Sequence, residues 1–261
     1  MFLVDALKGN NLTPYSKAWT WQQETLKERI ASPTLNHRDY LVCLEHSPVY
    51  TLGRSSKPSD LLFGGGGGGG GSSTSSVFDN ARQAAALLGI DLHEIERGGK
   101  VTYHGPGQLV VYPLLHLREP FFKPDLHLYV YKIEEVVIKS LAKFGLPAER
   151  LKGFPGVWVR NRKIAAVGMN CSKWYTSHGF ALNVNPDLEA FRRIVPCGIN
   201  DRDVTSLAAE LKAIAAERGH GANADLPSIN EVKVVVLSMF CSEFMCDLED
   251  DDDEQVEKMM A

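Results

Sequence analysis

The sequence predicts an α+β domain, a mixed sheet with flanking helices. Three observations carry that reading. Segments of helical and of strand period alternate without a regular strand-helix-strand series, hairpin signals join neighbouring strands, and 44% of the 261 residues are hydrophobic, enough for a sizeable core.

The elements follow in order. Thr13-Pro14 is a helix start, with a hydroxyl cap and a proline in the first turn. Tyr15, Ala18, Trp19, Gln22, Leu26 and Ile30 continue it at near-helical spacing until Pro33 closes it. Asp39 to Tyr50 reads as one strand with Leu41 to Leu44 buried. Helical patterns near 79–88 and at 129–144 flank a short strand at 91–96, and the second helix stops at Gly145 and Pro147. Residues 157–168 read as a hairpin turning at Arg160-Asn161-Arg162, and 180–184 as a further strand. Helices over 203–218 and 229–246 complete the domain.

Two segments differ in composition. Gly64 to Gly71 runs into Ser72-Ser73-Thr74-Ser75-Ser76, which offers little apolar surface to offset ordering entropy, so a flexible insertion is expected at about 58–76. No Gly-Lys-Ser/Thr follows that run, which argues against a phosphate loop. From Asp247 onward eight acids face Lys258 alone, and 247–261 reads as an acidic disordered tail on a domain spanning 1–246. The net charge of −4 is concentrated there. Neither nucleic acid nor membrane is expected as a partner, since no run approaches the roughly 18 apolar residues of a span. The five cysteines, Cys43, Cys171, Cys197, Cys241 and Cys246, are odd in number and lack a Cys-x-x-Cys pair. That argues against a disulfide framework or a zinc site, so no metal is expected and a reducing compartment is.

The chemically informative stretch is Arg97 to Pro113. Glycines bracket Tyr103 and His104, so backbone can approach a ligand closely there. A tight turn with a structural histidine fits the same residues, and both readings stand on physical grounds. Further motifs follow in order: Glu45 to Arg54 upstream, then Gly156-Val157-Trp158-Val159, Arg162-Lys163-Ile164-Ala165-Ala166-Val167-Gly168, Ser177-His178-Gly179-Phe180-Ala181-Leu182-Asn183, Pro196-Cys197-Gly198-Ile199 and Thr205-Ser206-Leu207.

This ordered set resembles the lipoyl(octanoyl) transferase family, from roughly Tyr15 to Leu211. The resemblance implies a biotin/lipoate protein ligase-like fold. It also implies transfer of an octanoyl group from octanoyl-acyl carrier protein to the lysine of lipoyl domains, with no other cofactor. Cys197 would carry the thioester and Lys163 would assist it. A thiol of pKa ~8.5 gains thiolate character beside an ammonium, and the incoming amine must later shed a proton. The resemblance further implies acyl binding by Arg97, Gly98, Gly99, Lys100, Val101, Thr102, Tyr103 and His104, by Ala166, Val167 and Gly168, and by Gly179, Phe180 and Ala181. His178 either orients the site or caps a strand end. Cys171 matches no motif position and reads as structural, and Cys43 as core.

The expected partners are acyl carrier protein, the lipoyl domains of 2-oxoacid dehydrogenase complexes and the glycine cleavage H protein. The alternatives are an ATP-dependent lipoate or biotin ligase and a non-catalytic module that binds lipoyl domains. The resemblance places a eukaryotic chain in mitochondria and a bacterial one in the cytoplasm. The N-terminal residues lack the Arg-rich pattern of a presequence.

Overall fold

A computed structural model describes residues 1–8, 11–32, 38–63, 74–118, 122, 124–196, 202–219, 225–250 and 254–261, and the side chains of 74–77 are outside that description. The strands are β1 (Phe2–Asp5), β2 (Tyr40–Leu44), β3 (Val49–Leu52), β4 (Asp91–Glu94), β5 (Thr102–His104), β6 (Gln108–Leu114), β7 (Glu149–Leu151), β8 (Phe154–Val159), β9 (Arg162–Ser172), β10 (Tyr175–Asn183) and β11 (Glu249–Asp250). The helices are α1 (Tyr15–Ala31), α2 (Thr74–Leu87), α3 (Leu126–Lys143), α4 (Leu207–Glu217), α5 (Ile229–Phe244) and α6 (Glu254–Met260).

Among the described residues these strands form two sheets. The larger runs β11-β1-β2-β6-β10-β9-β8-β7, and the smaller runs β4-β3-β5. The larger sheet is parallel through β11, β1 and β2 and antiparallel from β2 onward. Alternation of side chains sorts each strand between two cores. Leu41, Val111, Phe180 and Leu182 face α3 and α5, where Ile133, Val137, Val236 and Phe240 meet them. Val42, Leu44, Val110, Tyr112 and Ala181 face α1 and α6 through Ala18, Trp21 and Met259. A third core joins the small sheet to α2 through Tyr50, Leu92, Tyr103, Ala81 and Ala85.

Local chemistry explains why several elements begin and end where they do. Asp125 accepts from the backbone N–H groups of His127 and Leu128 at 3.0 Å each, capping α3. Ser228 and Glu231 form a reciprocal capping box at the start of α5. Arg160 and Asn161, with φ of 48° and 65°, make the two-residue turn between β8 and β9, because left-handed backbone there matches strand twist.

The structure departs from the sequence reading in six places. Pro14 itself, not Thr13, occupies the cap position of α1, and no side chain caps it, because the buried Thr13 hydroxyl bonds to none of the helix's first N–H groups. Residues 39–50 form two strands in different sheets, since Ser47-Pro48 breaks the ladder after β2 and Pro48 cannot donate to one. β10 starts five residues earlier than read, at Tyr175. α4 starts at Leu207 under a Ser206 cap, and the residues before it run extended beside β9. The expected insertion is narrower than 58–76. Pro58–Asp60 form a 3-10 turn capped by Asp60, Leu61 is buried in the third core, and α2 begins at Thr74; Gly64 to Ser73 lie outside the described residues. The expected disordered tail instead adds β11 to β1 and the helix α6, whose Met259 is 1% exposed. Lys17 Nζ donates to the carbonyl oxygens of Met260 and Ala261, fixing the chain end on α1.

Candidate active site

Lys163 stands three residues before Ala166, a spacing that in a regular strand puts the two on opposite faces. The pairing of β9 with β8 shifts there, with Trp158 opposite Lys163 and Val157 opposite Ala165, so Ile164 is an extra residue. Such a bulge re-aims its neighbour. Lys163 therefore shares the face of Trp158 and Gly156, while Val157, Val159, Ile164 and Ala165 fill the core under α3 and α5. Its side chain is buried, with Nζ donating to the Pro155 carbonyl at 2.9 Å and lying 5.0 Å from the Trp158 ring centroid. A Cβ on Gly156 would sit 2.5 Å from the Ala165 carbonyl oxygen and 3.4 Å from Lys163 Cε, which only glycine avoids.

The backbone of Lys163 is also tied down. Its N–H donates to the Asp203 carbonyl and its own carbonyl accepts from the Thr205 N–H, both at 2.9 Å. Cys197 lies outside the described residues. Pro196 and Arg202, the described residues on either side of that gap, both line a cavity of about 380 Å³ that also touches Arg162, Val204 and Thr205.

A second cavity is a slot between the large sheet and the small one. Ala166 and Gly168 of β9, Gly179 and Ala181 of β10, and Val110 and Tyr112 of β6 form its floor, with Val167 and Phe180 lining it between them although their side chains pack on the α3 and α5 side, while Thr102, His104, Arg97, His178 and Tyr15 line the rest. The expected acyl-binding residues thus divide. Arg97, Thr102 and His104 line the slot, whereas Gly98, Gly99, Lys100, Val101 and Tyr103 do not. Val101 and Tyr103 belong to the third core, with Tyr103 edge-on to Phe191, because alternation along β5 turns Tyr103 away from Thr102 and His104. Lys100 pairs with Asp60 at 3.5 Å, and Gly98 donates its N–H to the Met169 carbonyl.

Small residues in the floor have geometric causes. At Gly168 a Cβ would lie 2.8 Å from Arg97 Cδ, so the glycine lets the arginine lie across the sheet. Arg97 donates to the carbonyls of Gly98 and Lys100 at 2.7 Å each and to the Thr51 hydroxyl at 3.2 Å. At Gly179 a Cβ would lie 2.2 Å from the Val111 carbonyl oxygen.

The polar groups around the slot are held neutral or tightly bonded. His46 donates from Nδ1 to the Thr13 carbonyl at 2.8 Å and accepts the Tyr112 hydroxyl at Nε2, 2.7 Å away. Burial lowers its pKa to about 4, and burial with His46 nearby lowers that of His104 to about 3. His104 Nδ1 donates to Gln108 Oε1 at 2.7 Å. Gln108 Nε2 donates onward to Asn183 Oδ1 at 2.8 Å, and Asn183 Nδ2 to the Thr205 carbonyl at 2.9 Å. This buried relay connects the slot to the segment that grips Lys163.

His178 lines the slot and also stabilises its own strand. With φ of 59°, its backbone N–H donates to Gln22 Oε1 at 2.8 Å and its Nε2 lies 3.1 Å from Glu96. Burial lowers its pKa, so the neutral ring donates to the carboxylate. Burial works against ionisation of Glu96 too, but hydrogen bonds from His178 and Trp19 hold its pKa down at about 2. Cys171 has a thiol pKa raised by burial, the opposite of an activated nucleophile. Sequence reasoning missed Tyr15, Val110, Tyr112 and Glu96. Only long-range pairing brings them together, though Glu96 adjoins Arg97 and His46 stands in the Glu45 to Arg54 motif.

A mixed eight-stranded sheet faced by a three-stranded one, with a slot floored by small residues between them, is the architecture of a lipoate-ligase-type fold. The solved lipoate-protein ligase A bound with ATP superposes with a TM-score of 0.67 at 17% identity, covering 99% of this chain and 92% of that one. Residues 75–240 match the lipoyl protein ligase A/B catalytic domain. The octanoyltransferase of Nostoc punctiforme is 44% identical over 211 residues, 81% of each chain. The chloroplastic octanoyltransferase of Arabidopsis thaliana is 46% identical over 201 residues, 76% of this chain and 64% of its own length. The chain belongs to the lipoyl protein ligase A/B catalytic domain family, and these relatives within it are octanoyltransferases.

Proposed function

We propose that this chain is an octanoyltransferase that moves an octanoyl group from acyl carrier protein to the lysine of lipoyl domains through a thioester on Cys197. The observation that carries the reading is the bulge at Ile164, which turns Lys163 onto the slot's face of the sheet. Identity of 44–46% to named octanoyltransferases supports it as well.

The chemistry balances without a further cofactor. Cys197 gives its proton to Lys163 and the thiolate attacks the carrier thioester; the new S–C bond forms as the carrier's C–S bond breaks, and the carrier sulfur leaves as a thiol with the proton that Lys163 returns. The lipoyl-domain amine then attacks the enzyme thioester, the C–S bond breaks as the amide forms, and the amine's proton returns to the cysteine sulfur through Lys163. The Lys163 ammonium favours the thiolate at both stages. Acceptors include lipoyl domains of 2-oxoacid dehydrogenase complexes and the glycine cleavage H protein. A plastid home fits a plant or algal source, following the chloroplastic relative in place of the mitochondrial expectation, and the cytoplasm fits a bacterial one.

The test is octanoylation of a lipoyl domain by purified protein supplied with octanoyl-carrier protein and no ATP. Product without ATP is expected. A strict ATP requirement would assign the chain to the ligases, and binding without transfer would leave only a docking module.

A further inference from the structure

The slot's floor changes abruptly from small to large side chains. Strand register places Ala166 of β9 opposite Ala181 of β10, and Ala181 opposite Val110 of β6, in one row across the sheet. The adjacent row repeats the pattern. Gly168 pairs with Gly179, and Tyr112 follows, its Cα 3.3 Å from where a Gly179 side chain would begin. Each row is thus small, small, large, and in both the step falls on β6.

We infer that Val110 and Tyr112 form the stop that sets acyl-chain length, with β9 and β10 giving the run an alkyl chain can occupy. The inference rests on the octanoyl-transfer reading and adds which residues measure the chain. Neighbouring strands lie about 4.8 Å apart, so the row from β9 to β6 spans about 10 Å. An extended eight-carbon chain of C–C bonds near 1.5 Å covers about 9 Å. A chain with its carbonyl over β9, on the Lys163 side, therefore ends against β6.

The stop is rigid. Tyr112 is locked by its hydroxyl to His46, itself bonded to the Thr13 carbonyl. Across from it Tyr15 of α1 lies parallel to His104, with ring centroids 6.2 Å apart and planes at 5°. Val110 makes no side-chain hydrogen bond and is fully buried, so it can be resized without orphaning a polar group. Val110→Ala lengthens the run and Val110→Leu shortens it.

Two readouts test this. Calorimetric binding of hexanoate, octanoate and decanoate reads the slot without any transfer step, and kcat/KM with six-, eight- and ten-carbon carrier thioesters reads it during turnover. In wild type the eight-carbon chain is preferred in both. Val110→Ala raises the ten-to-eight preference about tenfold, as expected for about two further buried methylenes, and Val110→Leu moves the preference toward six carbons. An unchanged profile in both variants, or an equal fall for every length, overturns the assignment. Length-selective binding without transfer would sink the octanoyltransferase reading and leave the stop intact.

Discussion

Two buried histidines, His104 on the slot and His46 behind it, make stability pH-dependent. His46 and His104 are neutral in the folded protein, with pKa values of about 4 and about 3 set first by burial. An unfolded histidine titrates near 6.5, so between those limits the unfolded chain binds more protons than the folded one. Their contribution is complete above about pH 6.5 and is lost as the pH falls toward the folded values. From pH 7 to pH 5 each ring forfeits about 2 kcal/mol, so the two together forfeit about 4 kcal/mol, a large share of a typical domain's stability. His178, also lowered by burial, acts in the same direction. Urea unfolding at pH 7, 6 and 5 measures the effect. His104→Gln removes one of these titrating rings and should cut the slope by about a third to a half, even if its absolute stability is lower. A stability flat across this range, or an unaltered slope in His104→Gln, would refute the neutral buried pair.

Three further outcomes follow from other contacts. Met259→Ala should destabilise the protein by about 2–3 kcal/mol in urea unfolding, because the side chain is 1% exposed against α1 and the sheet; a surface-like change below 0.5 kcal/mol would contradict the packed C-terminal helix. Gly168→Val pushes on Arg97 and narrows the slot, so octanoyl transfer by the protein that remains folded should fall at least about tenfold, alongside a loss of about 1–3 kcal/mol of stability that such overpacking costs. Retained activity would mean that the acyl chain lies elsewhere. Asn183→Leu leaves Gln108 Nε2 and the Thr205 carbonyl each without a bond it makes now. The expected loss is about 1–3 kcal/mol of stability, with a drop in kcat larger than the drop in affinity for free octanoate, since the relay holds the segment beside Lys163.

Much of the scaffold was legible because its signals are local. Thr13-Pro14 marks the start of α1, the helical period of Val130 to Leu141 marks α3, and the Arg160-Asn161 turn marks the β8–β9 hairpin. The face shared by Lys163 and the slot was not legible from spacing. Residues 163 and 166 share a face only through a bulge, which depends on how β8 pairs with β9. Tyr103 and His104 are adjacent in one motif, yet strand alternation sends one to the third core and the other to the slot. The tail misled for a related reason. Its acids dominate the composition, while Val256 and Met259, one helical turn apart, acquire their meaning only from the partner surface on α1.

Intact-mass spectrometry with peptide mapping, after mixing the protein with octanoyl-carrier protein and no acceptor, tests the proposed mechanism most directly. One octanoyl group should appear on Cys197, be absent in Cys197→Ser, form more slowly in Lys163→Ala, and be discharged when a lipoyl domain is added. Octanoyl mass on another residue, or unimpaired transfer by Cys197→Ser, would contradict the thioester route.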